Sequence, residues 1–186
     1  MAPVESHYWI TAKAPEFNKL QPFVILPDAN AYALTEVGGL LFGLRDRVCL
    51  NHDPRKLPSD FSQLCFSEDP EGWIVLEDQG PVLARVFPGL ETTQTAHYVV
   101  GPTTYTPDGQ FILGSVPDVK DFLVATGCCG SGIGASGGVG SAITNLAIDG
   151  HTKFDLEGFR IDRFGRIDPF SAEWMQLRAE ARSKKN

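Results

Sequence analysis

Gly132, Gly134 and Gly137 stand at the spacing GxGxxG inside the run GCCGSGIGASGGVG, residues 127–140, which holds seven glycines. On spacing alone this is the dinucleotide fingerprint, in which glycines let backbone approach a pyrophosphate that a helix N-terminus faces. The fingerprint also needs a second apolar strand after the helix, ending in an acid for a ribose. The residues after Gly150 are HTKFDLEGFRID, which do not read as an apolar strand, and Asp155 stands at a suitable distance in the wrong context. Two other readings stay open. One is a glycine turn kept for close packing. The other is a backbone cradle for an anion or an electron-rich ring, with the first N–H groups of the following helix supplying partial positive charge.

Other reactive side chains are sparse. Cys49, Cys65, Cys128 and Cys129 lack the CxxC spacing of a zinc site and the even scatter of a secreted disulfide scaffold, so they read as reduced and intracellular. The vicinal pair Cys128-Cys129 sits in the glycine run, where a redox role needs a low thiol pKa and exposure, and apolar filling is the alternative. His7 and His97 each adjoin a tyrosine on an expected strand and read as structural, while His52 and His151 fall in loops. No metal site can be assembled from these residues.

The glycine run needs elements on both sides to aim it. DFLVAT (121–126) is an almost wholly apolar run, the pattern of a strand buried on both faces. Beyond the run, taken as a loop over 127–140, Val139, Ile143, Leu146 and Ala147 mark one face of a helix ending near Asp149-Gly150. Upstream, HYWITAK (7–13) reads as a strand, and NAYALTEV and GLLFGLRD as a hairpin turning at Gly38-Gly39. A helical insert spans about 57–90. It opens at Pro58-Ser59-Asp60 and carries Val82, Leu83, Val86 and Phe87 at helical spacing after Pro81. Strands resume at 95–100 and 103–106, turn at Pro107-Asp108-Gly109 and return as QFILGSV. A polar tail from Ser171 suits a last exposed helix. The fold class expected is α+β: a mixed, largely antiparallel sheet with flanking helices, plus a C-terminal strand, glycine loop and helix.

The chain has 186 residues and a mass of 20.3 kDa, enough for one domain or part of a larger one. Sixteen Lys and Arg against 23 Asp and Glu leave a net charge of -7, and the only basic run is Ser183-Lys184-Lys185-Asn186, which argues against phosphate-backbone binding. No basic segment precedes an apolar stretch at the N-terminus and no 18 apolar residues run together, so neither a signal peptide nor a membrane span is expected. The compartment expected is the cytoplasm, or the mitochondrial matrix in a eukaryote.

The order TTYTPDGQFILGSVPDVKDFLVATGCCGSGIGASGGVGSAITNLAIDG resembles the C-terminal segment of the FAD-dependent amine and amino-acid oxidoreductases. That family includes D-amino-acid oxidase, sarcosine oxidase, and the sarcosine and dimethylglycine dehydrogenases. Its motifs here are Thr106-Pro107-Asp108, the strand 121–126 and the run 127–140, and the similarity extends upstream to HYWIT and downstream to FDLEGFRIDRFG. The resemblance implies a substrate-binding lobe over 1–120, a strand, loop and helix over 121–150 that complete an FAD lobe carried elsewhere, and a C-terminal extension over 151–186. It implies FAD as cofactor, a small amine or amino-acid substrate, and a partner chain carrying the N-terminal FAD-binding Rossmann lobe. The chain is then expected to leave an unpaired strand edge and exposed apolar surface when alone.

The resemblance also assigns positions. Gly130, Ser131, Gly132, Ile133 and Gly134 would lie against the pyrimidine side of the flavin, where the reduced ring gathers negative charge. Arg45 matches an active-site histidine of the sarcosine oxidase branch, and its planar fork suits a substrate carboxylate. Tyr32 matches an active-site tyrosine, and Thr103 lies on the strand expected beside the flavin. The oxygen-activating lysine of that branch is Leu41 here, a second lysine is Gly134, and the flavin-tethering cysteine is Gly101. These replacements imply a non-covalent FAD at that position and a dehydrogenase rather than an oxidase. No catalytic base is assigned, because hydride removal from an amine carbon needs little beyond an unprotonated nitrogen and a well-placed C–H. The alternative is a structural or assembly subunit that keeps part of the fold without turnover.

Overall fold

Aromatic and β-branched residues make β1 (Ala2–Thr11), which begins before the HYWITAK run. The computed structural model describes residues 1–17, 19, 21–45, 49–60 and 70–184; Cys65 and residues 61–69, into which the expected helix start at Pro58-Ser59-Asp60 leads, lie outside them. Strands β2 (Val24–Leu26), β3 (Ala31–Glu36), β4 (Gly39–Leu44) and β5 (Thr95–Tyr105) join β1 in a five-stranded sheet of order β2-β3-β4-β1-β5. The pairs β2/β3, β3/β4 and β4/β1 are antiparallel. A second, two-stranded antiparallel sheet pairs β6 (Ile112–Ser115) with β7 (Leu123–Thr126). With the helices α1 (Pro70–Ala84), α2 (Gly132–Asp149) and α3 (Ala172–Ser183), the architecture is α+β, as the sequence implies.

The chain divides into two compact units. One comprises Glu5–Val48 and Leu57–Pro102, the other Met1–Val4, Cys49–Lys56 and Thr103–Lys185. The core of the first arises from strand alternation: Ala31, Ala33, Leu40, Phe42 and Leu44 turn inward to meet Trp9, Phe17 and Leu83. Trp9 stacks between Phe42 and Tyr98, with ring centroids 5.7 Å and 5.5 Å away. Burying each of the largest of these side chains contributes roughly 1.5–3 kcal/mol. The second unit has a smaller core, formed by Val4, Cys49, Tyr105, Cys129 and Ala179.

Several local expectations are corrected. The hairpin turns at Val37-Gly38, with φ 46° and 84°, and not at Gly38-Gly39. Gly39 instead pairs with Glu36, and glycine is required there because a Cβ would come within 2.6 Å of the Thr11 carbonyl oxygen. Pro81 lies inside α1, and Val86 and Phe87 lie beyond its end. β5 is one strand from 95 to 105, with no break at Gly101-Pro102. β7 is not buried on both faces: Leu123, Val124 and Thr126 are half-buried and Ala125 is exposed, because β6 is its one strand neighbour among the described residues.

The largest correction concerns the glycine run. Its loop is only 127–131; α2 starts at Gly132, so five glycines are helical. The C-terminal helix α3 is present, capped by Ser171 Oγ, which accepts from the Trp174 N–H at 3.2 Å. It is not an exposed helix, since Arg178, Ala179 and Arg182 are buried. Arg178 is 0% exposed; its Nε donates to the Trp174 carbonyl at 3.1 Å and its Nη2 to the Pro169 carbonyl at 2.9 Å. Among the described residues no helix is long and apolar enough to cross a membrane.

Candidate functional site

In the first unit, alternation along β3 and β4 puts Tyr32, Leu34, Leu41 and Gly43 on the face opposite the buried core. Ile10 of β1 pairs with Leu41 and joins that face. Tyr32 pairs with Gly43, and its ring lies across β4 over that glycine, where any Cβ would overlap it. The pairing continues one residue past β4, since the Arg45 N–H donates to the Asn30 carbonyl at 3.0 Å. The Arg45 carbonyl in turn accepts from Gln79 Nε2 of α1 at 2.7 Å. By register this places Tyr32, Leu41 and Arg45 on one face: an apolar floor with a phenol, and the half-buried residue Arg45 at one end. Gly101 sits in β5, with open space where a side chain would stand.

In the second unit, the turn entering α2 is built from consecutive left-handed residues, Cys129 at φ 49° and Gly130 at φ 78°. The Tyr105 hydroxyl lies 3.3 Å from where a Gly130 Cβ would stand. Cys129 N–H donates to the Thr104 carbonyl at 3.1 Å, and Ser131 N–H to the Cys128 carbonyl at 2.8 Å. Ser131 is the N-cap residue, yet its side chain makes no capping bond. The first-turn N–H groups of Gly132, Ile133 and Gly134 have no acceptor within the helix by geometry. Ile133 is 94% exposed, and a Cβ added at Gly134 would meet nothing within 4 Å. Gly132 differs, because a Cβ there would stand 3.2 Å from that of Cys128. Thus Gly130 to Gly134 form one continuous rim at the head of α2.

Thr103 belongs to this second unit, and its Oγ1 donates to the Val4 carbonyl at 3.2 Å, tying β5 to β1. Cys129 is buried, with Sγ 3.1 Å from the Gly127 carbonyl oxygen. A cleft of about 550 Å³ elsewhere in the unit is lined by Leu113, Leu146, Phe154, Asp155 and Arg160 and takes in none of Tyr32, Arg45, Thr103 or Gly130 to Gly134. The feature that sequence reading missed is the link from Arg163 to Asp108, 55 positions apart: Nε donates to Oδ2 at 2.8 Å. Burial raises the Asp108 carboxyl, but hydrogen bonds from Arg163, the Gln110 N–H and Thr106 outweigh it and hold the group below its usual range.

Comparison with known proteins adds the family. The family model described as FAD dependent oxidoreductase matches residues 1–146. Mouse dimethylglycine dehydrogenase, mitochondrial, is 28% identical over 174 residues, which cover 89% of this chain and 20% of that protein. The mouse pyruvate dehydrogenase phosphatase regulatory subunit, mitochondrial, is 26% identical over 147 residues, covering 78% of this chain and 16% of that protein. Among solved structures, L-proline dehydrogenase from P. horikoshii superposes with a TM-score of 0.68 at 20% identity, over 88% of this chain and 40% of that one, a likeness of fold. The chain therefore spans about a fifth of the length of the curated relatives it matches. The match from residue 1 to 146, over strands and helices laid out as in a solved relative, makes this chain a member of the FAD dependent oxidoreductase family.

Proposed function

We propose that the chain is the substrate-binding part of an FAD-dependent dehydrogenase of amines or amino acids, acting together with an FAD-binding lobe. The observation that carries this reading is the head of α2. Five glycines in a helix cost roughly 0.8–1 kcal/mol each relative to alanine. Little within the chain repays that cost, since Ala142 is the one buried residue of α2. A flat ring brought against the bare first turn would repay it, because unmatched N–H groups and absent side chains suit close approach of an electron-rich edge.

The residues present fit a flavin in that sense. Gly130, Ser131, Gly132, Ile133 and Gly134 would hold its pyrimidine side and favour the negative charge of the reduced ring. When bound, FAD supplies the hydride acceptor. The open space beside Gly101 leaves no thiol to tether it there, which supports a non-covalent cofactor. On the sheet face, Arg45 binds a substrate carboxylate, Tyr32 orients the amine end, and Leu34, Leu41 and Ile10 exclude water. Thr103 would lie on the strand beside the ring. Leu41 carries no charge to stabilise superoxide, so a bound flavin would pass its electrons to a protein carrier, a quinone or a dye rather than to oxygen. A secondary or N-methylated amino acid is the substrate class, supported by the likeness to dimethylglycine dehydrogenase. Mitochondrial relatives favour the matrix as compartment in a eukaryote.

Functionally, residues 1–120 serve the substrate, 121–150 return to the flavin, and 151–186 brace that return. A second reading, a structural or assembly subunit without turnover, is supported by the likeness to a phosphatase regulatory subunit. One experiment separates the two: purify the native assembly and record its visible spectrum with and without N-methylated amino acids. A flavin band bleached by substrate supports the dehydrogenase, and a colourless assembly refutes it in favour of the subunit.

A further inference from the structure

Thr106 is 0% exposed, and its hydroxyl lies where several polar groups converge. Oγ1 is 2.9 Å from Asp108 Oδ1, 2.7 Å from the Gln110 carbonyl oxygen and 3.4 Å from Cys129 Sγ. One hydroxyl carries one proton, so an ionised Asp108 competes for it with a neutral carbonyl, and the lone pairs are left to the Cys129 thiol. Asp108 Oδ1 also accepts from the Gln110 N–H at 3.1 Å.

Arg163 grips this carboxylate from the far side. Its Nε donates to Oδ2 at 2.8 Å and its Nη2 to Oδ1 at 3.0 Å, a bidentate fork. Nη2 also reaches the Gln110 carbonyl at 3.3 Å, and Nη1 donates to the Arg160 carbonyl at 2.8 Å. Its guanidinium carbon lies 4.3 Å from the centroid of the Phe164 ring. With its side chain only 12% exposed, every nitrogen of the fork has an acceptor. The Asp108 side chain is 36% exposed, so it is the bidentate geometry rather than burial that defines the pair.

At the other end stands Cys129, a non-glycine residue at φ 49°. A left-handed backbone at such a residue carries a conformational cost, which surrounding contacts must offset. Its N–H is held by Thr104 and its sulfur by Thr106 and Gly127. We propose that Arg163 is a positioning residue for the turn that opens α2: through Asp108 and Thr106 it holds Cys129 left-handed and so aims the N–H groups of Gly132 to Gly134. The last link, that those groups meet a flavin, rests on the function proposed above, whereas the clamp itself does not.

Amide hydrogen exchange on the full chain tests the clamp, comparing the unaltered protein with Arg163→Met, Arg163→Lys and Asp108→Asn. Exchange over 128–134 is expected to rise about tenfold in Arg163→Met and Asp108→Asn, with α3 and the β3–β4 hairpin unchanged. Arg163→Lys keeps the charge without the fork and should fall between. Unchanged exchange at the turn, or a rise spread evenly over the chain, overturns the proposal. In the flavin-loaded assembly the flavin Kd should weaken in the same order. An unaltered assembly that binds no flavin refutes the functional reading, while the exchange data still decide the clamp.

Discussion

Gly134 is the residue at which contact with a flavin separates from packing inside the chain. Its added Cβ meets nothing, whereas one at Gly132 presses on Cys128. Gly134→Val is therefore expected to leave the unfolding midpoint unchanged or slightly raised, since valine is the better helix former. Flavin affinity should fall at the same time, by the roughly 1.5–3 kcal/mol of hydrogen bonds to a charged group. A titration with FAD and a urea melt read the two effects separately. Leu41 is the corresponding residue for oxygen. Leu41→Lys should speed reoxidation of the reduced flavin by on the order of tenfold, measured by stopped flow under oxygen, as a nearby cation stabilises superoxide. Asp108 sets a pH dependence. Its folded pKa is depressed, so the stabilisation is present above the ordinary value of 3.8 and is lost as pH falls through the lower folded value. Asp53, held at about 2 chiefly by the Arg55 side chain, titrates in the same direction. Thermal melts across this acid range should flatten in Asp108→Asn by the Asp108 part alone.

Among the elements, the β3–β4 hairpin carries a correctable strain. Val37 is β-branched at φ 46° and 75% exposed, so it costs backbone energy and returns little burial. Val37→Asn creates Asn-Gly, the preferred pair for such a turn, and should raise stability by roughly 1 kcal/mol in chemical denaturation. This hairpin also marks where sequence reading succeeds. Alternation along NAYALTEV and GLLFGLRD gave both strands, because one face is buried and the period of two is enforced by a core. It misplaced the turn because Gly39 is small for a tertiary reason, the Thr11 carbonyl opposite. The run 127–140 read as loop because helix propensity disfavours glycine, whereas α2 takes in five of its seven glycines. α3 read as exposed because arginine counts as polar, while Arg178 is buried by donating to carbonyls nearby. Tyr32, Leu41 and Arg45 were reachable only through the family resemblance, and their common face emerges from the β3–β4 register. The link between Arg163 and Asp108 was not legible, because a separation of 55 positions carries no periodic signal.

At the scale of the molecule, Ile133 at 94% and Ile148 at 77% exposure sit at the two ends of α2, beside a glycine face that none of the described residues covers. With a net charge of -7 opposing non-specific aggregation, the expected behaviour is selective association through α2. Docking of an FAD-binding lobe should slow amide exchange along 132–149 while leaving that of β3 and β4 unchanged. Equal protection of both would place the docking surface elsewhere. The three tryptophans give this molecule separable optical reporters. Trp9 is 0% exposed in the stacked core of the first unit, and Trp73 is 41% exposed beside Tyr98 in the same unit. Trp174 belongs to the second unit, set edge-on to Phe164 at 5.2 Å. Replacing Trp9 and Trp73 by phenylalanine leaves emission from α3 alone. Whether the two units melt as one body or in sequence then becomes a matter of comparing two fluorescence curves.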